Sequence, residues 1–184
     1  SEGIYKTTDG GTTWNLKRTG NFRDMICSIS DYNIVSASVF SRSGSTSLFR
    51  SSDFGDSWEQ AHDIPGASRV VFAVTPVKPN RVYALCSRNM YSSYHSLIIS
   101  EDNGINYEEY SNYEIENNLL GWYLGTGSDN NTGQADYDLC LAVSPTDSRV
   151  LYIGGINVWK SIDEGSTWTM VAHWNGAYDK PFIH

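Results

Sequence analysis

Apolar residues in this chain come in short runs broken by Gly, Ser, Asp and Asn, and none recurs at the 3.6-residue spacing of an amphipathic helix. Two stretches share one grammar. Val71-Phe72-Ala73-Val74-Thr75-Pro76 leads into Asn80-Arg81-Val82-Tyr83-Ala84-Leu85, and Leu139-Cys140-Leu141-Ala142-Val143-Ser144-Pro145 leads into Asp147-Ser148-Arg149-Val150-Leu151-Tyr152-Ile153. An apolar strand, a proline-bearing turn and an alternating strand predict an antiparallel hairpin in each. Further short strands are expected at Ile4-Tyr5-Lys6, Ser47-Leu48-Phe49-Arg50, Leu97-Ile98-Ile99 and Val158-Trp159-Lys160. The segment from Ile115 to Leu120 has room for one helical turn, and the rest reads as all-β.

Each of those four last strands runs into the same eight-residue pattern: Thr7 to Trp14, Ser51 to Trp58, Ser100 to Tyr107 and Ser161 to Trp168. Its frame is hydroxyl-x-Asp-x-Gly-x-(Ser/Thr/Asn)-aromatic, carried by Asp9, Gly11 and Trp14, by Asp53, Gly55 and Trp58, by Asp102, Gly104 and Tyr107, and by Asp163, Gly165 and Trp168. This is turn chemistry. The carboxylate accepts from nearby backbone N–H groups, the glycine supplies positive φ, and the aromatic ring covers the loop. The third copy departs from the pattern with Asn106 and Tyr107, which predicts a looser turn. The aspartates lie 44, 49 and 61 residues apart, close to the length of a four-stranded propeller blade. Four carboxylates one blade apart cannot share a catalytic or calcium site, so their expected role is structural.

Composition narrows the function classes. With 13 Lys+Arg against 21 Asp+Glu the 184-residue chain carries a formal charge of −8 and a pI near 4.8, which argues against nucleic acid or an anionic membrane surface as partner. Aromatic residues make up 13%, too many for a disordered chain, and no apolar run approaches the ~18 residues of a membrane helix. Cys27, Cys86 and Cys140 are odd in number and each sits in an apolar run, so buried free thiols are expected. No spacing suggests a metal or other cofactor. The opening residues read as the middle of a strand rather than as a signal peptide, and the expectation is of a piece of a longer chain.

The four motifs resemble Asp-boxes, the repeats of bacterial neuraminidases that recur in sialidases, sortilin-type domains and xyloglucan-cleaving propellers. The run from Tyr137 to Pro145, with Gly154 to Ser161 and Ala172-His173-Trp174, is also similar to secreted bacterial surface propellers that carry a C-terminal sorting domain. The resemblance implies a partial β-propeller of four-stranded antiparallel blades with an Asp-box between strands three and four. It divides the chain into outer strands of one blade (1–20), three blades (21–62, 63–110 and 111–175) and the start of another (176–184), the remaining blades coming from the parent chain or a second chain. It also implies a secreted or outer-surface location and a possible glycan or protein ligand.

In the families resembled, ligand groups lie on the face opposite the Asp-boxes, where strand four connects to the next strand one. The excess length of the third repeat falls on such a connection, residues 111–138, and long ordered loops are often functional. Trp122, Tyr123 and Tyr137 are candidates for stacking on sugar rings, and Asp136 and Asp138 for bonding hydroxyls, with His173 and Trp174 placed near the axis. The competing reading has Trp122 and Tyr123 pinning the loop while the acids are solvated. Glycoside cleavage needs two carboxylates across the scissile bond, and among Asp24, Asp63, Glu114, Glu116, Asp136, Asp138 and Asp179 no spacing singles out a pair. Arg50, Arg81 and Arg149 read as blade-packing residues. A non-catalytic binding or scaffold module is therefore the leading expectation, with a glycoside hydrolase fragment as the alternative.

Overall fold

A computed structural model describes residues 2–89, 91–114, 118–122 and 133–182. Its strands are β1 (Gly3–Lys6), β2 (Asn15–Thr19), β3 (Phe22–Cys27), β4 (Val35–Val39), β5 (Ser45–Ser51), β6 (Glu59–Pro65), β7 (Ala67–Thr75), β8 (Lys78–Arg88), β9 (Tyr94–Ser100), β10 (Glu108–Asn112), β11 (Cys140–Val143), β12 (Leu151–Gly154), β13 (Val158–Ser161) and β14 (Thr169–Ala172). They form three four-stranded antiparallel meanders, β3 to β6, β7 to β10 and β11 to β14, preceded by the two-stranded β1–β2 sheet. The first strands β3, β7 and β11 pack side by side, as the inner strands of adjacent blades do. The fold is an all-β propeller arc. Strands β6 and β10 run on to Pro65 and Asn112, past the expected divisions at 62 and 110, and residues 176–182 form turns closed by one parallel bridge between His173 and Phe182.

A meander puts its 1–2 and 3–4 turns at one end and its 2–3 loops and chain crossings at the other. The four repeated motifs all sit in 3–4 turns, between β1 and β2, β5 and β6, β9 and β10, and β13 and β14. Their residues act as the pattern predicts. Around Asp53, the Ser51 hydroxyl donates to the carboxylate at 2.8 Å and accepts from Gly55 N–H at 2.8 Å, while Ser57 donates its N–H at 2.8 Å and its hydroxyl at 2.5 Å. Trp58 then closes the turn by donating from its indole to the Gly55 carbonyl at 3.2 Å. The third turn is not looser: Asn106 bonds Asp102 through both its backbone, at 2.9 Å, and its side-chain amide, at 2.7 Å. An amide donates to a carboxylate as well as a hydroxyl does, so the geometry survives the substitution.

The residue before each glycine also takes positive φ. It is a glycine only in the first turn; elsewhere it is Phe54 (60°), Asn103 (59°) or Glu164 (62°). Three non-glycine residues are thus held in the left-handed region, at about 1–2 kcal/mol each. A backbone bond from each into the neighbouring 1–2 turn offsets that cost: Phe54 to Asn33 at 2.8 Å, Asn103 to Asn80 at 2.8 Å and Glu164 to Arg149 at 3.0 Å.

The later turns also seal their blades to the preceding ones. A Cβ on Gly165 would stand 2.5 Å from Leu97, and one on Gly104 would stand 2.8 Å from the Ser36 hydroxyl. Arg81, buried, donates to Glu101 of its own blade and to Glu164 of the next at 2.9 Å, and its neighbour Tyr83 donates to the Ser148 carbonyl at 3.1 Å. Arg50 donates to the Asn103 carbonyl at 3.0 Å, so it too joins blades, whereas Arg149 lies exposed and pairs with Asp147 inside its own turn. Trp14 has no preceding sheet to cover and is 58% exposed.

Two apolar layers fill the spaces between blades. Leu48, Val70, Phe72, Val82 and Ile98 pack between the β3–β6 and β7–β10 sheets. Val71, Leu85, Tyr94, Ile153, Trp159 and Met170 pack between β7–β10 and β11–β14. Each large side chain fully buried there contributes about 1.5–3 kcal/mol. Cys86 is buried with them, and burial pushes its thiol up to about 12. Cys27 and Cys140, expected to be buried, are exposed. Both lie on inner strands, β3 and β11, whose alternate residues face the arc's two incompletely covered sides, so an apolar run there does not guarantee burial.

Candidate functional site

The crossing from β2 to β3 has two residues and that from β6 to β7 is Gly66 alone, but β10 to β11 takes residues 113–139. This long connection is anchored deeply. Leu119, Leu120 and Ala135 are buried in the layer between the second and third four-stranded sheets. The Asn118 carboxamide oxygen accepts from Tyr94 N–H at 2.8 Å and Leu120 N–H at 3.1 Å, and the Asn157 amide donates to the Gly121 carbonyl at 2.9 Å. Ala135 N–H donates to the Ser92 carbonyl at 3.2 Å, and Gly133 passes so close that a Cβ would lie 2.2 Å from the same oxygen. Only glycine permits that approach.

The candidate residues separate into two groups. Trp122 is half-buried and packs edge-to-face on Trp174, centroids 6.0 Å apart, while its carbonyl accepts from the Trp174 indole at 2.9 Å. His173 is 1% exposed, accepts the Asn175 N–H at 3.3 Å and has its ring 5.2 Å from that of Tyr178. Strand β14, which ends beside it, is the outermost of its sheet, so the pair stands at the rim and not at the axis. Tyr123 lies outside the described residues.

Asp136 and Tyr137 belong to the other group. With Arg23, Phe40, Arg42 and Arg69 they line a cavity of about 190 Å³ on the loop face. Arg23 and Arg69 come from the starts of inner strands β3 and β7, Phe40 and Arg42 from the β4–β5 loop. Arg23 donates to the Asn21 amide oxygen at 3.1 Å, Arg69 to the Ala135 carbonyl at 2.8 Å, and the guanidinium carbons of Arg23 and Arg42 stand 4.9 and 5.5 Å from the Phe40 ring centre. Tyr137 is 87% exposed. Asp138, next along, is half-buried, and burial raises its carboxyl although Arg69 pulls the other way; its Oδ1 has no hydrogen-bond partner among the described residues.

The remaining acids serve the scaffold. Asp24 accepts Phe72 N–H at 2.7 Å across the blade boundary, and Asp63 accepts from Ser47 at 2.5 Å and Gln60 at 2.8 Å. Glu114 and Asp179 are exposed away from the cavity, and Glu116 lies outside the described residues. Asp136 is therefore the one carboxylate lining this cavity among the described residues. Among those residues, too, no group of three His, Cys, Asp or Glu is placed to hold a metal ion. The sequence reading passed over the four residues opposite the loop. A signal was available: Arg23 and Arg69 each open an inner strand, in corresponding places of two repeats.

Comparison with known proteins places this geometry. No family model matches the chain. Over 106 residues, 54% of the chain, it is 29% identical to the xyloglucanase Xgh74A of Acetivibrio thermocellus, of whose length it spans only 11%. The solved GH74 enzyme of Niastella koreensis superposes on 92% of the chain with a TM-score of 0.58 at 16% identity, 26% of that enzyme being covered. YCF48 bound to D1 peptide superposes on 90% of the chain, with 45% of that protein covered, at a TM-score of 0.51 and 20% identity. The shared feature is the β-propeller. Among the described residues no helix is long and apolar enough to cross a membrane.

Proposed function

We propose that this chain is an arc of a secreted or surface-exposed Asp-box propeller whose loop face is a non-catalytic binding module, directed to a glycan or a protein. The observation that carries this reading is the composition of the loop-face cavity: several fixed donors, one exposed ring and a single carboxylate, Asp136. That set orients a polar ligand, whereas hydrolysis of a glycosidic bond by the usual route needs a second carboxylate across it. The four turns on the opposite face are Asp-boxes in this reading. Further blades of the parent chain, or of a second chain, complete the two-stranded sheet and cover the outer face of β11–β14.

A second reading is favoured by the likeness to Xgh74A: the arc is part of a glycoside hydrolase, with the partner acid supplied from outside it. Turnover separates the two. The parent protein is assayed on chromogenic xyloglucan oligosaccharides and screened on a glycan array. Binding without turnover supports the module, and turnover abolished by Asp136→Asn supports the hydrolase. Tyr137→Ala should weaken sugar binding about tenfold, the loss of one stacking ring, without lowering the Tm. Unchanged affinity would remove the loop from the site.

A further inference from the structure

The chain is acidic overall, yet three of its 13 basic residues converge on one cavity. Arg23, Arg42 and Arg69 have no carboxylate within 4.0 Å among the described residues. Among the described residues, five of the chain's ten other Lys and Arg side chains have an acidic partner. Lys6 and Lys17 both reach Asp56, Arg50 reaches Glu59, Arg81 two glutamates and Arg149 an aspartate. The cavity arginines are instead positioned by neutral partners: Asn21, the Phe40 ring and the Ala135 carbonyl. Moreover, Arg69 Nε is buried and has no hydrogen-bond partner among the described residues. Three like charges gathered in a partly enclosed space repel one another and are only partly offset by Asp136 and by Asp138, on whose carboxyl Arg69 acts; planar guanidinium forks match a carboxylate's two oxygens.

The rest of the lining specifies more than charge. Asp136 repels a purely anionic ligand but accepts hydrogen bonds from hydroxyls, and the exposed Tyr137 ring offers a flat apolar face. At about 190 Å³ the cavity has the room of one small unit and not of a chain. A ligand that carries a carboxylate, several hydroxyls and an apolar ring face in that volume is a uronic acid.

We propose that the cavity formed by Arg23, Phe40, Arg42, Arg69, Asp136 and Tyr137 is a subsite for one uronate residue of an acidic glycan. The arginines take the carboxylate, Asp136 the ring hydroxyls and Tyr137 the sugar face. This assignment rests on the glycan-binding reading above and supplies its ligand class.

Calorimetric titration of the full chain tests it with four probes: trigalacturonate, its methyl ester, a neutral xyloglucan heptasaccharide and a tetraglutamate peptide. Trigalacturonate should bind, its ester about tenfold or more weakly, and added salt should weaken only the acid. Arg42 is exposed and stands over the Phe40 ring. Arg42→Gln should therefore cut trigalacturonate affinity about tenfold at unchanged Tm, with Arg23→Gln as an independent second variant. Equal binding of acid and ester, or wild-type affinity in both variants, overturns the proposal. If only the neutral heptasaccharide binds, the uronate assignment falls while the glycan-binding reading stands. If tetraglutamate binds and no sugar does, both fall.

Discussion

The two faces of this arc are built on opposite principles. On the turn face the same residues recur in every blade and satisfy one another: each aspartate is saturated by its own hydroxyl or amide neighbours, and the four-stranded blades are sealed to one another. On the loop face nothing recurs in all the blades. Two crossings of one or two residues are followed by a long connection, and among the described residues three guanidiniums lack acidic partners and a half-buried carboxylate has an oxygen without a bond. The turn face is spent on holding the fold, and the loop face keeps polar groups in reserve. Repetition therefore marks the scaffold, and departure from it marks the candidate site.

The contrast can be broken most strongly where the loop is anchored. Leu120→Ala removes a side chain that is 1% exposed between two sheets and should cost about 2–5 kcal/mol in urea unfolding. It should also weaken any ligand held by Asp136 and Tyr137; intact binding would show that the loop is held elsewhere.

Next in size is the turn face. Ser100, fully buried, accepts from Gly104 N–H at 2.8 Å and donates to Asp102 at 2.8 Å, so Ser100→Ala should cost about 1–3 kcal/mol while leaving loop-face binding unchanged. Loss of binding in this variant would mean that the two faces are coupled.

Acidity should separate the faces by sign. Backbone and hydroxyl donors, the Thr13 N–H first among them, hold the Asp9 carboxyl down at about 2, and Asp53, Asp102 and Asp163 are also lowered. Groups depressed in the folded state stabilise it fully above the ordinary carboxylate value and lose that contribution as pH falls through the folded one. Stability should thus decline from about pH 4 to about pH 2, followed by circular dichroism. Asp138 works the other way, because burial raises its carboxyl. Its charged form is a burden above the folded pKa and none below the unfolded one, so Asp138→Asn should raise the Tm at pH 7 and not at pH 3. A stabilisation equal at both values would refute the assignment.

The smallest effect concerns the residue before the glycine of each repeated turn. Phe54 holds positive φ and is exposed. Phe54→Gly relieves about 1–2 kcal/mol of left-handed strain against about 0.5–1 kcal/mol of added chain entropy, so a gain of about 0.5 kcal/mol is expected in denaturant titration. A clear loss would show that the Phe54 ring, 5.2 Å from the Lys6 ammonium, matters more than its backbone.

Much of the scaffold was legible because turn chemistry is local. Ser51, Asp53, Gly55, Ser57 and Trp58 lie within eight residues, so their bonds can be read from spacing alone. The same locality identified the hairpins and placed the long loop at a crossing. Burial was less legible. Cys27 and Cys140 sit in apolar runs, but the side of the sheet each faces depends on whether a neighbouring blade covers it. Trp122 and Tyr137 looked alike in sequence, yet one packs on Trp174 and the other faces solvent.

The sequence by itself determined the all-β class, the repeat length, the turns and their identical placement in every blade, since each rests on hydrogen bonds and φ values within a few neighbouring residues. Only the tertiary structure decided the candidate site. Arg23, Arg42, Arg69 and Asp136 are separated by 19, 27 and 67 residues along the chain and meet because two inner strands and two loops open at one end of the arc. The corresponding places of Arg23 and Arg69 in two repeats hint at it, but the meeting with Arg42 and Asp136 is set by how blades pack around an axis.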